Sequence, residues 1–350
     1  MSGYHIAVVG ATGAVGTKMK EMLEESFLPI KEIKFLASKK SAGKKVTFKD
    51  ETYIIEELLP DSFLGMHIAF FSAGGSISRM YAKEAVSRGC VVIDNTSAFR
   101  MNEEVPLVVP EVNAQHLEKH QGIIANPNCS TIQMVVALEP IRQAYGLKRV
   151  IVSTYQAVSG AGIAAINELK EQITAVLSGK DVDQARELPC SSDKKHYPLA
   201  FNALPQIDVF GAEGYTEEEW KMINETKKIM SDDSLSVSAT CVRIPVMTGH
   251  SESVYIEVSK EDVDVKVLQE LLSDSPGIVL EDNPDEQIYP QPLTAINKRE
   301  VFVGRIRRDL DSSTGFHMWI VSDNLLKGAA WNSIQIAEKL HEMDLVHVAS

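Results

Sequence analysis

The 350-residue chain lacks several features that mark common protein classes. Its four cysteines, Cys90, Cys129, Cys190 and Cys241, form no CxxC pair, so neither a zinc ribbon nor a dithiol redox site is expected. No apolar run approaches the roughly 20 residues of a membrane-spanning helix. The opening residues, MSGYHIAVVGATG, do not have the architecture of a signal peptide. We therefore expect a cytoplasmic protein that uses no metal and does not enter a membrane.

Positive charge is also scarce. Lys and Arg number 35 against 48 Asp and Glu, which gives a net charge of −13. This balance disfavours a general binder of nucleic acid or of acidic membrane surfaces, although a small anionic ligand needs only a few local cations. The 44% hydrophobic content is typical of globular proteins. Since single cores stop growing near ~250–300 residues, the length predicts two domains.

The first part of the chain alternates short apolar strands with helical stretches. The predicted strands are Ile6–Val9, Ile33–Ala37, Ile68–Phe71, Val91–Ile93 and Gly122–Ala125, and the predicted helices are 14–26 and 76–88. This alternation predicts an α/β domain of the Rossmann type, with a doubly wound parallel sheet between two layers of helices.

The second part has longer strands and fewer short crossovers. The predicted strands are Arg149–Tyr155, 236–246, 251–259, 301–308 and 316–322. The predicted helices are 129–145, 161–178, 216–230 and 325–343, and a loop is predicted over 179–215. Thr216 and Glu219 have the spacing of a capping box at the start of one helix. The pattern predicts an α+β domain with a mainly antiparallel sheet.

Gly10, Gly13 and Gly16 stand between the first strand and the first helix as GxxGxxG. Glycines let the backbone approach a pyrophosphate, and the start of a helix attracts an anion. The turn therefore predicts dinucleotide binding, against the alternative of a tight strand–helix turn without a ligand.

The residues after the second predicted strand bear on the choice of cofactor. An NAD site favours an acidic residue there, but this chain has Ser38, Lys39, Lys40 and Ser41. Cations and hydroxyls suit a 2′-phosphate, so we predict NADP. The alternative is a solvated run of surface lysines, and the sequence does not decide which of Lys39, Lys40 and Ser41 would hold the phosphate.

Cys129 lies between a predicted strand and a strongly helical stretch. Pro127 disfavours helix just before it, and Asn128 is a good N-cap residue, which places the thiol in the first helical turn. There the helix dipole and the N–H groups favour a thiolate and could stabilise an oxyanion. An inert buried thiol, the alternative, fits the strand-like surroundings of Cys90 and Cys241 better.

Arg243 and His250 flank a predicted turn near Val246–Met247. If the two strands form a hairpin, these side chains face each other, the arginine suited to a carboxylate and the histidine to acid–base chemistry. An exposed cation pair is the alternative. A nucleotide fold together with a reactive thiol predicts hydride transfer between a nicotinamide and a thiohemiacetal carbon.

Three further groups stand in positions that favour ligands. Arg100 follows a predicted strand of the nucleotide domain, where phosphate could bind, and Gln156 follows a strand of the second domain. Glu218 and Lys221 share one helix face, for which an exposed ion pair is the default interpretation.

Taken together, seven ordered motifs resemble the aspartate-semialdehyde dehydrogenase family from one end of the chain to the other. They are Gly10–Gly16, Asn95–Arg100, Pro127–Thr131, Gln156–Gly160, Glu218–Lys221, Cys241–His250 and Ser322–Ala330.

The resemblance implies roles for these residues. Cys129 would be the acyl-thioester nucleophile and His250 the acid–base group, while Gln156 and Arg243 would bind the substrate, Arg243 at its carboxylate. Glu218 would meet the substrate amine. The other implied substrate and phosphate contacts are Asn128, Arg100 and Lys221. The implied NADP contacts are Gly10, Thr12, Gly13, Ala14, Val15, Ser38, Lys40, Ser41, Ser159, Gly160 and Asn324.

The implied reaction is reductive dephosphorylation of L-aspartyl 4-phosphate by NADPH, in the synthesis of lysine, diaminopimelate, threonine and methionine. The resemblance also implies that 1–128 with 324–350 form the NADP-binding domain, and that 129–323 form a catalytic domain that builds a homodimer or a dimer of dimers. N-acetylglutamyl-phosphate reductase is the nearest rival, and Glu218 with Arg243 favours a free amino acid over an acylated one. A nucleotide sensor would not need the thiol, and a cysteine hydrolase would not need the glycine-rich turn.

Overall fold

The computed structural model describes residues 3–182 and 185–347. The chain divides into two compact units, Met1–Asn128 with Ala329–Ser350 and Cys129–Gly328. Among the described residues, no helix combines the length and the apolar character required to cross a membrane.

The first unit opens with alternating strands and helices. Its elements are β1 Tyr4–Val9, α1 Ala14–Glu25, β2 Ile30–Ala37, β3 Lys45–Phe48, β4 Glu51–Ile54, β5 Glu56–Glu57, β6 Ile68–Phe71, α2 Gly75–Ser87, β7 Val91–Asp94, α3 Pro110–Asn113 and β8 Ile123–Ala125. Six of these strands form one sheet in the order β5-β2-β1-β6-β7-β8, with every pair parallel. The predicted doubly wound parallel sheet is confirmed.

The apolar runs of this sheet follow from burial on both faces. All four residues of β6 and of β7 are buried, which explains why these strands lack a polar alternation. The antiparallel pair β3–β4 was not predicted. It is anchored by Phe48, which packs edge-on against Phe35 and Tyr53.

The second unit contains the longer strands. Its elements are α4 Cys129–Tyr145, β9 Arg149–Gln156, α5 Ile163–Leu177, α6 Glu217–Met230, β10 Ser236–Arg243, β11 His250–Glu257, α7 Val265–Ser273, β12 Ile278–Leu280, α8 Pro292–Ala295, β13 Val301–Arg308 and β14 Gly315–Ser322. A π-helical turn, Leu326–Ala330, leads into α9 Trp331–Glu342, which belongs to the first unit. The predicted loop 179–215 contains one short 3-10 turn, Ala212–Gly214, and its residues 183 and 184 lie outside the described ones.

The strands of the second unit form a six-stranded mixed sheet in the order β10-β9-β11-β14-β13-β12. Its three central pairs, β9–β11, β11–β14 and β13–β14, are antiparallel, as expected for most of the sheet. The outer pairs, β9–β10 and β12–β13, are parallel.

The predicted hairpin between β10 and β11 is wrong. β9 lies between these two strands and is hydrogen-bonded to both. The connection 244–249 crosses the end of β9, where Val158 N–H donates to the Val246 carbonyl at 2.8 Å and Ser159 N–H to the Met247 carbonyl at 3.1 Å. Six residues easily span the roughly 9.6 Å between alternate strands, so nothing local forces a hairpin.

The two faces of this sheet differ. The covered face packs beneath helices and includes fully buried apolar side chains, namely Val150, Val152, Val254, Ile256 and Phe316. The opposite face carries side chains that are only partly buried or exposed within the described residues: Ile151, Tyr155, Tyr255, His317 and Trp319. Rings on this face meet across strands, with centroids 5.5 Å apart for Tyr155 and Trp319.

Candidate active site

The glycine-rich turn has a backbone that only glycine fits. Gly10 has φ +87°, and a Cβ there would lie 2.9 Å from the Ala73 nitrogen. A Cβ on Gly16 would lie 2.2 Å from the Gly10 carbonyl oxygen. Gly13 is the N-cap of α1 and has no side chain to cap the helix, so an anion can approach the first helical N–H groups. This cradle fits a dinucleotide phosphate.

The basic turn after β2 lies in solvent. Ser38, Lys39 and Lys40 are exposed, and Ser41 is half-buried. The Ser38 carbonyl accepts the N–H groups of Ser41 and Ala42 at 2.8 and 3.1 Å, which folds the segment back on itself. The two ammonium groups are therefore carried on a closed turn directly beyond the carboxyl end of β2.

Arg100 is a buried cation of the first unit. Its Nε donates to the Asn126 carbonyl and its Nη2 to the Asn95 carbonyl, both at 2.9 Å. Nearby Asp94 is also buried, and burial raises the pKa of its carboxyl. Hydrogen bonds from Ser78 and Thr96 and the charge of Arg100 act in the opposite direction and lower it. The backbone thus fixes the Arg100 guanidinium at the carboxyl end of the parallel sheet.

Cys129 is the first residue of α4, as predicted, and is only partly buried. The π-helical turn 326–330 packs against it so closely that a Cβ on Gly328 would lie 2.7 Å from the Cys129 Cβ. In contrast, Cys90 and Cys241 are fully buried, and burial raises the pKa of both thiols, that of Cys90 to about 12. Those two thiols stay protonated near neutral pH.

His250 is the first residue of β11 and is fully buried. Its Nδ1 accepts the backbone N–H of Ala157 at 3.0 Å, and its Nε2 lies 3.4 Å from Nε2 of Gln156. Burial, together with the charge of Arg243, lowers the pKa of the imidazole to about 3. The neutral ring therefore carries its proton on Nε2.

Arg243 ends β10 and is paired in register with Gln156, the last residue of β9. Its Nη1 donates to the Ala157 carbonyl at 2.7 Å, and its Nε is a buried donor without a hydrogen-bond partner among the described residues. Burial lowers the pKa of the guanidinium, while nearby Glu218 raises it. A Cβ on Gly160 would lie 3.3 Å from Nη1 of Arg243 and 3.5 Å from Nε2 of His250.

Arg243 and His250 therefore do come together, but for another reason than the predicted hairpin. β10 runs parallel to β9 and β11 runs antiparallel to it, so the last residue of one and the first residue of the other reach the same edge of the sheet. The end of β9, with Gln156, lies between them.

Gln156 connects the strand end to α6. Its Nε2 donates to Oε1 of Glu218 at 3.1 Å, and its Oε1 accepts from the Thr154 hydroxyl at 2.9 Å. Glu218 is only 5% exposed, so its pairing with Lys221 at 3.2 Å is not the solvated ion pair that spacing alone suggests. The capping box predicted for this helix is present, since Glu219 N–H donates to Oγ1 of Thr216.

Lys221 has a second carboxylate partner that the sequence did not indicate. Its Nζ donates to Oδ2 of Asp208 at 2.8 Å. Asp208 lies in the long polar segment between α5 and α6, where no periodicity or motif singles it out.

Ser159 and Asn324 contact each other. Nδ2 of Asn324 donates to Oγ of Ser159 at 2.9 Å, and Oδ1 of Asn324 accepts the N–H of Gly249 at 2.9 Å. Asn324 thus ties the turn after β9 to the start of β11. Asn128, immediately before the thiol, is buried.

Comparisons with known proteins agree with these two units. Residues 5–120 match the family model described as semialdehyde dehydrogenase, NAD binding domain, and residues 138–327 match semialdehyde dehydrogenase, dimerisation domain. The chain is 60% identical over 344 residues to an aspartate-semialdehyde dehydrogenase of Bacillus subtilis, covering 98% of this chain and 99% of that one. The chain belongs to the aspartate-semialdehyde dehydrogenase family. The resemblance predicted from the sequence is confirmed, and the protein is an oxidoreductase of amino-acid biosynthesis.

Solved structures of aspartate-semialdehyde dehydrogenases share the whole fold. The Vibrio cholerae enzyme II in complex with ASA superposes with a TM-score of 0.92 at 43% identity, covering 98% of this chain and 99% of that chain. The Candida albicans enzyme with NADP has a TM-score of 0.73 at 26% identity, covering 98% and 100%.

Proposed function

We propose that the chain catalyses the NADPH-dependent reductive dephosphorylation of L-aspartyl 4-phosphate to L-aspartate 4-semialdehyde, through an acyl-thioester on Cys129, on the route to lysine, threonine and methionine. The observation that carries the proposal is the cluster at the end of β9. There Gln156, Arg243 and His250 share one sheet edge.

Arg243 is suited to hold the substrate carboxylate. Its Nε is a buried donor that finds no acceptor among the described residues, and burying an unsatisfied donor costs about 1–3 kcal/mol. A carboxylate would satisfy it and pair with the guanidinium charge. The buried carboxylate of Glu218 would receive the substrate ammonium, with Gln156 between the two binding groups.

The remaining substrate contacts rest on the resemblance to the family. It assigns the phosphate to Arg100 and Lys221, and a substrate contact to Asn128. Arg100 is suited to a fixed anion contact because backbone carbonyls already hold its guanidinium in place.

In the forward direction the Cys129 thiolate attacks the acyl carbon, the C–O bond to phosphate breaks, and phosphate leaves. NADPH, when bound, supplies the hydride that reduces the thioester carbon. The Nε2–H of His250 can donate to the oxyanion that forms on that carbon, and it supports collapse to the aldehyde and the Cys129 thiolate. Gly160, next to both Arg243 and His250, leaves space there for the reacting group.

For the cofactor, the proposal is NADP in preference to NAD. Lys39 and Lys40 are exposed directly beyond β2, with Ser38 and Ser41 at the ends of the same turn. The backbone of Gly10 and Thr12–Val15 would hold the pyrophosphate. Ser159, Gly160 and Asn324 complete the proposed cofactor contacts.

The proposed assembly is a homodimer, or a dimer of dimers, built by the second unit. The uncovered sheet face described above bears Tyr155, Tyr255 and Trp319. Aromatic side chains of this kind are enriched in protein interfaces. Light scattering on the purified protein would give its mass in solution, and a monomer would contradict this part of the proposal.

The test of the reaction is reduction of NADP by L-aspartate 4-semialdehyde in the presence and absence of phosphate. We expect turnover that requires phosphate and that is lost in Cys129→Ser. Turnover of N-acetylglutamate semialdehyde in place of aspartate semialdehyde would instead support the rival reductase.

A further inference from the structure

The two carboxylate oxygens of Asp208 accept hydrogen bonds from different partners, one in its own loop and the other Lys221. Oδ1 accepts the N–H of Val209 at 2.9 Å, and Oδ2 accepts from Nζ of Lys221 at 2.8 Å. Asp208 has φ +67°, a left-handed conformation that aspartate tolerates better than most residues. The backbone bond to Oδ1 therefore fixes the direction in which Oδ2 points.

The segment around Asp208 is tied to both elements that carry the substrate-binding residues. Leu204 forms a two-way backbone bridge with Arg243, with N–O distances of 3.0 and 2.9 Å. The N–H of Glu217, at the start of α6, donates to the Val209 carbonyl at 2.9 Å. Asp208 is thus held between the end of β10 and the beginning of α6.

Asp208 gives Lys221 a partner outside its own helix. The contact of Lys221 with Glu218 joins two residues one turn apart on α6, and a long lysine side chain loses rotamer entropy when it is held in one place. Asp208 lies 13 positions away in the chain and contacts the ammonium from a different segment. Its charge also reaches Arg243, where it opposes the effect of burial on the guanidinium pKa.

We propose that Asp208 is a positioning residue, which holds the ammonium of Lys221 at the place where the phosphate of the substrate binds. This inference rests on the proposed function, because phosphate binding by Lys221 is part of it. Asp208 acts through Lys221 and is not proposed to touch the reacting atoms.

Two effects of Asp208 on phosphate binding have opposite signs, which makes the inference testable. Ordering of Lys221 lowers the KM for phosphate, whereas repulsion between the Asp208 carboxylate and phosphate raises it. Asp208→Asn keeps the shape and the acceptor for Val209 N–H but removes the charge. If positioning dominates, we expect this variant to raise the phosphate KM about tenfold, with the KM for the semialdehyde within about twofold of wild type.

A double-mutant cycle separates action through Lys221 from a general effect on the loop. In a Lys221→Met background, Asp208→Asn should change the phosphate KM by less than about twofold, because there is no ammonium to position. Asp193→Asn is the matched control. It removes one carboxylate of the same segment, where Oδ2 of Asp193 accepts from Nε2 of Gln206 at 2.6 Å.

The initial rates of NADP reduction decide between the outcomes. A lower phosphate KM in Asp208→Asn would overturn the inference, as would an undiminished effect in the Lys221→Met background or an equal rise in the semialdehyde KM. A wild-type enzyme whose turnover needs no phosphate would overturn the proposed function, and this inference with it. A phosphate-dependent wild type with an unchanged Asp208→Asn variant would overturn the inference alone.

Discussion

The backbone N–H of Ala157 donates to Nδ1 of His250 at 3.0 Å, and this bond joins the residue after β9 to the first residue of β11. A ring nitrogen that accepts a backbone hydrogen bond cannot carry a proton. The imidazole is therefore held in one neutral tautomer, with its proton on Nε2, which faces the space beside Gly160.

His250 should stay neutral through the physiological pH range. Since its pKa is lowered to about 3, nitrogen NMR of the free enzyme should show no titration of this ring between pH 5 and 8. Below about pH 6.5 the His250 ring is protonated in the unfolded chain but stays neutral in the native protein. The free energy of unfolding therefore decreases as the pH falls toward 3. His250→Asn should flatten that fall by up to ~1.4 kcal/mol per pH unit. A ring that titrates near pH 6.5 would contradict the prediction.

Cys129 should be the fastest of the four cysteines to react with iodoacetamide. It is partly exposed at a helix start, whereas Cys90 and Cys241 are buried and burial raises the pKa of their thiols. Mass spectrometry of the labelled peptides would give the four rates. Cys129→Ser should reduce turnover on the order of 10³-fold or more while cofactor binding is retained, because a hydroxyl is far less ionised. Equal labelling of all four thiols would contradict thiolate activation.

Gly328→Ala should reduce kcat through displacement of the thiol. The new Cβ would lie 2.7 Å from the Cys129 Cβ, and a misplacement of ~1 Å can cost about 10² in rate. Gly75→Ala is the matched control, because the nearest atom to its new Cβ is an arginine side-chain nitrogen 3.4 Å away. We expect the control to keep wild-type kinetics. Full activity of Gly328→Ala would show that the π-helical turn does not position the thiol.

Substitution of Arg243 should affect the KM for the semialdehyde, whereas substitution of Arg100 or Lys221 should affect the KM for phosphate. Arg243→Lys keeps the charge but loses the planar two-point contact, and should mainly raise the KM for the semialdehyde. Arg100→Ala and Lys221→Ala should mainly raise the KM for phosphate, by about tenfold or more for a charge-assisted contact. Initial rates in the oxidative direction measure both constants. The reverse pattern would exchange the two assignments.

NADPH should be preferred over NADH because of the basic turn beyond β2. Loss of one charge-assisted contact to a 2′-phosphate costs roughly 1.5–3 kcal/mol, so Lys40→Glu should narrow or reverse the preference. Lys39→Glu tests the neighbouring ammonium, and the ratio of kcat/KM for the two cofactors is the measurement. An unchanged ratio in both variants would place the 2′-phosphate elsewhere.

Local pattern was sufficient for the parallel sheet and for the starts of α4 and α6. β1, β6 and β7 are buried on both faces, so their apolar runs mark them within a residue or two. The capping residues Thr216 and Glu219 likewise carry their own signal.

Local sequence patterns could not predict which strands are neighbours in the sheet or which residues a loop side chain contacts. The placement of β9 between β10 and β11 depends on the packing of strands that are distant in the chain. Asp208 lies in a polar segment with no period, so only the folded chain reveals that it meets Lys221. In both cases a long-range contact decides the structure.

The insertion of β9 between β10 and β11 has a consequence for how the enzyme acquires its activity as it folds. Residues 236–257 could close quickly into a local hairpin, whereas the native pairing of Ser251 with Tyr155 joins positions about a hundred residues apart and carries the entropic cost of a long loop. Such non-local pairing is slow. We therefore expect the pairing of β9 with β11, and with it the cluster of Gln156, Arg243 and His250, to form late as a newly made chain folds.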